Sequence, residues 1–129
     1  MNHEKDGTKV LFFDTYALYG IALGSENYKK YRHGLRLITT IMNIYELYYR
    51  LVQDNFLSEA EIFFEKFLPD CVDIAPKSIK EAALFRLQNK KLNLSYVDAL
   101  GYIIAKKHDC LFLTGDEAFR KLQNVEFVK

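Results

Sequence analysis

Four carboxylates stand where a parallel α/β chain gathers its chemistry: Asp14, Glu46, Asp98 and Asp116. Asp14 closes the apolar run 8–13, and Asp116 follows the apolar run 110–113 across Thr114-Gly115. Glu46 lies two turns into the helix that leaves a third run, 35–39. Asp98 sits in the first turn of the helix leading into 110–113. Acids that meet at the carboxyl ends of neighbouring strands repel one another, so one or more stays protonated unless a cation is shared. Oxygen ligands with open positions suit Mg²⁺ or Mn²⁺, which keep waters and accept phosphate oxygens. Such a site activates water and neutralises a phosphodiester under attack; a two-ion version clamps the entering and the leaving oxygen.

Each acid also has a plain structural explanation. Asp14 and Asp116 stand where helix N-caps stand. Asp98 completes Ser95-x-x-Asp98, a variant of the capping box. Glu46 is four residues before Arg50, a spacing that favours a helix-surface ion pair. Capping accounts for an acid at a helix start, but not for Glu46, nor for acids that share one edge of a sheet.

The elements that must position these residues follow from hydrophobic periodicity. Runs 8–13, 35–39, 71–75, 110–113 and 125–128 are continuously apolar, as in strands covered on both faces. Helical spacing fills 15–23, 25–33, 41–56, 58–68, about fifteen residues from Pro76, and 95–108. The 41–56 helix is expected to turn Ile41, Ile44, Tyr45, Tyr48, Leu51 and Val52 inward, with Glu46 off that stripe. Ser25 and Ser58 are read as caps, with Glu61 completing the box for Ser58, and Pro76 as a first-turn proline. The order βααβααβααβαβ predicts a three-layer α/β/α sandwich around a parallel sheet of four to five strands, in one domain spanning 1–129. If the first, second and fourth runs are neighbours, all four acids can meet in one crevice at the strands' carboxyl ends, where such sheets bind their ligands.

Composition narrows the class further. Half of the 129 residues are hydrophobic and 15% aromatic, which predicts a packed core and excludes a disordered chain. Removing the four site acids from the seventeen leaves thirteen against eighteen basic residues, so the surface around the site can be net positive. Lys29, Lys30, Arg32 and Arg36 are the candidate phosphate contacts, because they precede the strand that feeds Glu46. Cys71 and Cys110 have no metal-binding or redox spacing and read as free thiols of a reducing cytoplasm. The start MNHEKDGTKV has no signal-peptide pattern and no apolar run reaches membrane-span length, so a soluble cytoplasmic protein is expected. Aromatics crowd 41–67; most are expected in the core, and the surplus would serve a partner or self-association surface.

The segments VLFFDTYAL, ITTIMNIYEL, LSYVDALGYIIAKKHDCLFLTGDEAF and VEFV, in that order and spacing, resemble a PIN-domain ribonuclease, and most closely a VapC-type toxin of the prokaryotic toxin–antitoxin pairs. The resemblance covers nearly the whole chain. It implies a Mg²⁺- or Mn²⁺-dependent endoribonuclease in which Asp14, Glu46, Asp98 and Asp116 form the acidic site and Thr114 supports the last acid. It also implies a homodimer and an antitoxin whose tail covers the active-site groove. Glu117 is a further acid, read as a solvated first-turn residue.

Other acid-bearing α/β classes do not fit. A haloacid-dehalogenase-type phosphatase needs a second Asp two residues after the first, where Tyr16 stands. A receiver domain needs an Asp ending its third strand, and Asp73 is at best mid-strand. A dinucleotide-binding module needs a glycine-rich turn, and Asp14-Thr15-Tyr16-Ala17 is not one. His3, His33 and His108 are scattered, which argues against a metal-free ribonuclease with a histidine acid. The rival that stands is a non-catalytic RNA- or protein-binding module on the same fold.

Overall fold

In the computed structural model, which describes residues 7–129, four strands form one parallel sheet: β1 Lys9–Phe13, β2 Leu35–Ile38, β3 Leu111–Thr114 and β4 Val125–Phe127, in the order β2-β1-β3-β4. The reading of the residues before Gly7, His3 among them, lies outside the described residues. β1 is central, with Phe12 in register with both Ile38 of β2 and Phe112 of β3. Its Leu11, Phe12 and Phe13 are fully buried, which explains why the run is continuously apolar rather than alternating.

Successive side chains along β1 point to opposite faces and so feed two cores. Phe12 and Phe112 stack on one face beneath α4 (Pro76–Gln88) and α5 (Tyr96–Lys107). Leu11, Phe13 and Leu113 meet α1 (Thr15–Ala22), α2 (Ile41–Gln53) and α3 (Leu57–Phe67) on the other. Helices on both faces of a parallel sheet give the three-layer sandwich expected, and the first, second and fourth apolar runs are neighbours, as the crevice requires.

Four expectations are corrected. The run 71–75 is not a strand; it contributes a single parallel bridge, Cys71 to Thr39. The reason lies in β2, which ends one residue before Thr39 and turns at Thr40 into α2, so only one rung is left to pair with. The segment 25–33 is a 3₁₀ helix over Glu26–Tyr31 in which Ser25 makes no side-chain cap. Its buried residues, Tyr28 and Tyr31, are three apart, the period of a 3₁₀ turn. α3 starts one residue before Ser58, with no side-chain cap. The end of α2 sets that start: Asn55 takes the left-handed conformation and Phe56 N–H bonds Leu51 C=O at 2.7 Å, a Schellman closure that runs straight into Leu57. Glu61 instead accepts a hydrogen bond from the Tyr48 hydroxyl. Lastly, α2 buries Asn43, Ile44, Leu47 and Leu51, while Ile41, Tyr45 and Val52 are exposed.

Candidate active site

Asp14 is the best-fixed of the four acids. Its backbone N–H bonds Leu113 C=O at 3.2 Å, which ties the end of β1 to β3. Its Oδ1 accepts the Ala17 N–H at 3.0 Å, capping α1, and its Oδ2 accepts the Thr114 hydroxyl at 2.5 Å. Burial pushes this carboxyl up to about 7, despite the two hydrogen bonds, and the charges of Asp98 and Asp116 push it the same way.

Thr114, the last residue of β3, joins two of the acids. While its hydroxyl donates to Asp14, its oxygen accepts the Asp116 N–H at 3.0 Å. Asp116 Oδ1 in turn caps the 3₁₀ turn Glu117–Phe119 through the Ala118 N–H at 3.0 Å. Asp98 closes a capping box: Ser95 Oγ accepts the Asp98 N–H at 3.0 Å and Asp98 Oδ2 accepts the Ser95 N–H at 2.9 Å. Burial raises the Asp98 carboxyl, the Ser95 bonds oppose the rise, and the charges of Asp116 and Glu46 add to it. Asp98, in the first turn of α5, thus lies within electrostatic reach of Asp14 at the end of β1, of Asp116 just past β3 and of Glu46 on α2. Capping and clustering are not alternatives here, because the same side chains do both.

Glu46 is half-buried on α2 and forms no ion pair with Arg50 or hydrogen bond among the described residues. What sets its position is a polar network that the sequence reading passed over. The Thr40 hydroxyl donates to Asn43 Oδ1 at 2.7 Å, and Asn43 Nδ2 donates to Thr15 Oγ1 at 3.2 Å, all three residues buried. This pins the first turn of α2 to the first turn of α1 and carries Glu46, three residues on, toward the crevice. The signal was present in Thr40-x-x-Asn43, a capping pattern with an amide in an otherwise apolar run. Tyr16 is also part of the rim. A Cβ at Gly115 would collide with its ring and with the Val128 carbonyl, so only glycine lets the ring lie over the 114–116 loop.

The donor set fits a hard divalent cation. Among the described residues, hydrogen bonds leave Asp98 Oδ1, Asp116 Oδ2 and both Glu46 oxygens open, and a carboxylate oxygen with one bond still has a lone-pair direction. No three His, Cys, Asp or Glu side chains among the described residues converge tightly enough to form a metal cage by themselves. Mg²⁺ needs no such cage; it keeps several waters and is held through one or two carboxylates plus phosphate oxygens.

Of the candidate phosphate contacts, Lys29 and Lys30 are exposed on the 3₁₀ helix, with Lys30 Nζ 5.2 Å from the centre of the Tyr31 ring. Arg32 and Arg36 line a cleft of about 860 Å³ with Lys66 and Asp70, to which none of the four acids contributes. His33 and His108 are exposed and away from the acids, and Glu117 is exposed and paired with Arg120 and Lys129, which hold it down at about 2. Cys71 and Cys110 are free thiols; Cys110 is buried and pushed up to about 11 by that burial, whereas Cys71 is only half-buried.

A parallel sheet covered on both faces, with acids at the carboxyl ends of its central strands, defines a three-layer α/β/α class with its candidate site at that edge. The sequence matches the PIN domain family over residues 11–125. The chain belongs to the PIN domain family. Among solved structures it is similar to VapC20 of Mycobacterium tuberculosis, a toxin described as cleaving the sarcin–ricin loop, with a TM-score of 0.77 at 13% identity over 92% of this chain and 99% of that one. It is also similar to a toxin–antitoxin complex from Klebsiella pneumoniae, with a TM-score of 0.70 at 15% identity over 90% and 95% of the two chains. A third, VapBC2 of Rickettsia felis bound to a DNA fragment from its promoter, gives 0.69 at 15% identity over 93% and 99%. No curated protein matches the sequence. Among the described residues, no helix is long and apolar enough to cross a membrane.

Proposed function

We propose that this chain is a Mg²⁺- or Mn²⁺-dependent endoribonuclease that hydrolyses RNA phosphodiester bonds, and that it is the toxin of a toxin–antitoxin pair acting in the cytoplasm. Asp14, Glu46, Asp98 and Asp116 would hold the ion. When bound, a divalent cation supplies Lewis acidity, activating water and offsetting charge on the phosphodiester under attack. The chain's own residues do the positioning. Thr114 orients Asp14 and the Asp116 backbone together, the Ser95 box fixes Asp98, and the Asn43 network aims α2. The observation that carries this reading is the convergence of these acids on Asp98 and Asp14. Burial raises both carboxyls, the charges of Asp116 and Glu46 add to the rise at Asp98 and those of Asp98 and Asp116 at Asp14, and a cation would return them to the charged form.

Lys29, Lys30, Arg32 and Arg36 would act as phosphate contacts that add affinity rather than chemistry. An antitoxin and a homodimer belong to the same reading. The exposed Tyr45, Tyr49 and Val52 on α2 support it, since aromatic side chains are favoured at interfaces.

The second reading, a non-catalytic binding module, draws on the absence of a three-ligand cage among the described residues. Incubation of purified protein with single-stranded RNA and Mg²⁺ or Mn²⁺ separates the two. Cleavage is expected from the wild type, with a loss of at least 100-fold in Asp14→Asn and Asp98→Asn at unchanged circular dichroism, as for groups that act directly at the reacting centre. Equal cleavage by all three proteins, or none with either ion, would leave the binding module.

A further inference from the structure

Tyr16 and Tyr19 fall with Gly20, which is buried under the Tyr28 ring, at i, i+3 and i+4 of α1 and so form one stripe. That stripe floors a groove of about 630 Å³, walled on one side by Arg50 of α2 and on the other by Asn27 and Lys129. Its upper end is the Tyr16 ring, which lies against Gly115, beside Asp116 and two residues after Asp14. None of the four acids lines the groove; it meets the acidic rim through the Tyr16 ring against Gly115, and the Tyr28 hydroxyl at its back feels the charge of Asp14.

The lining chemistry selects an occupant. Tyr16 and Tyr19 are half-buried and offer flat ring surfaces, and the Tyr16 hydroxyl has no hydrogen-bond partner among the described residues. Tyr19 is held in place through its hydroxyl, which donates to Asp54 at 2.6 Å. Arg50 is exposed, and its side chain makes no ion pair or hydrogen bond among the described residues, though Asp54 lines the same groove. Aromatic faces beside cations are how single-stranded nucleic acid is gripped without sequence readout. The volume lies within the range of small-ligand sites, enough for one nucleotide. An apolar peptide would leave the charge of Arg50 unanswered, Lys129 being paired already with Glu117.

We propose that this groove is the subsite for the nucleotide adjoining the scissile phosphate, with its base stacked on Tyr16 and its phosphate facing Arg50. The assignment rests on the ribonuclease reading for its place next to the cleaved bond, and its test is binding rather than cleavage.

The probe is a fluorescein-labelled single-stranded RNA, titrated by anisotropy in EDTA, alongside an abasic phosphodiester oligomer of equal length. Tyr16→Leu is expected to weaken RNA binding about tenfold or more and to leave the abasic oligomer unaffected, while Tyr16→Phe binds as the wild type. Arg50→Ala is expected to weaken both probes and to lower the salt slope by about one. Arg50 is exposed, so this variant carries the test even if Tyr16→Leu does not fold. RNA affinity unchanged in both variants, or no RNA binding by the wild type, overturns the proposal and leaves the groove to a protein segment. Weakened binding in the variants, with no cleavage by the wild type in Mg²⁺ or Mn²⁺, keeps the subsite and removes the nuclease reading.

Discussion

Asp14 shows how one residue serves both fold and site. In the unfolded chain its carboxyl ionises near its ordinary value of 3.8, and in the folded protein it does so at about 7, mainly because it is buried. Between these values the folded state keeps a proton that the unfolded state has released. The contribution to stability is therefore full at low pH and lost as pH rises through 7. In EDTA, the urea stability of the wild type relative to Asp14→Asn is expected to fall by about 2–3 kcal/mol from pH 5 to pH 8. Millimolar Mg²⁺ should recover much of that loss in the wild type only. Parallel pH profiles for the two proteins would remove the buried acid from the picture. At this scale the sequence was informative about identity and poor about environment. An acid after an apolar run announces Asp14 and Asp116, but that Asp14 is the most desolvated follows from Thr114 and Ala17 closing over it, which no spacing reports.

Among the elements, the legible ones owe their form to local rules. α5 starts at Tyr96 with the Ser95–Asp98 box that its sequence announces and ends at Lys107 before the left-handed Asp109. The misread ones owe theirs to neighbours. α3 begins where the Schellman closure of α2 delivers the chain, not at the serine with the better capping chemistry. The run 71–75 has strand composition but no strand left to pair with. The inward face of α2 combines Ile44, Leu47 and Leu51 with Asn43, which bonds Thr15 across 28 residues, so counting apolar positions found Ile44 and Leu51 but put Ile41, Tyr45 and Val52 inward as well. Contact with a neighbour also makes Gly115 indispensable. Gly115→Ala would drive a methyl group into the Tyr16 ring and the Val128 carbonyl, and backbone cannot rotate aside as a side chain can. A loss of about 1–3 kcal/mol is expected from the shift in urea midpoint, the usual range for overpacking. A midpoint equal to that of the wild type would show that the 114–116 loop moves freely away from Tyr16.

For the whole molecule, the sheet order matters most, because β2-β1-β3 brings together acids 102 residues apart in the chain, from Asp14 to Asp116. The class of fold was readable from alternating strands and helices; the neighbour relations were only a condition, met by the order β2-β1-β3-β4. Surface roles were the least readable, since Arg32 and Arg36 look like site cations in sequence yet line a different cleft. For the exposed strip on α2, sedimentation should give a mass near twice 15.1 kDa, and Tyr49→Glu should halve it without loss of helix. A monomeric wild type would remove self-association from the roles proposed for the strip. The central claim is that four distant carboxylates share one divalent ion, and it meets its most direct test in Mn²⁺ binding followed by electron paramagnetic resonance. The wild type is expected to bind Mn²⁺ saturably, and Asp14→Asn, Glu46→Gln, Asp98→Asn and Asp116→Asn each to weaken binding by tenfold or more, within the range expected for loss of a charged ligand. Undiminished binding in all four variants, or no saturable binding by the wild type, would contradict it.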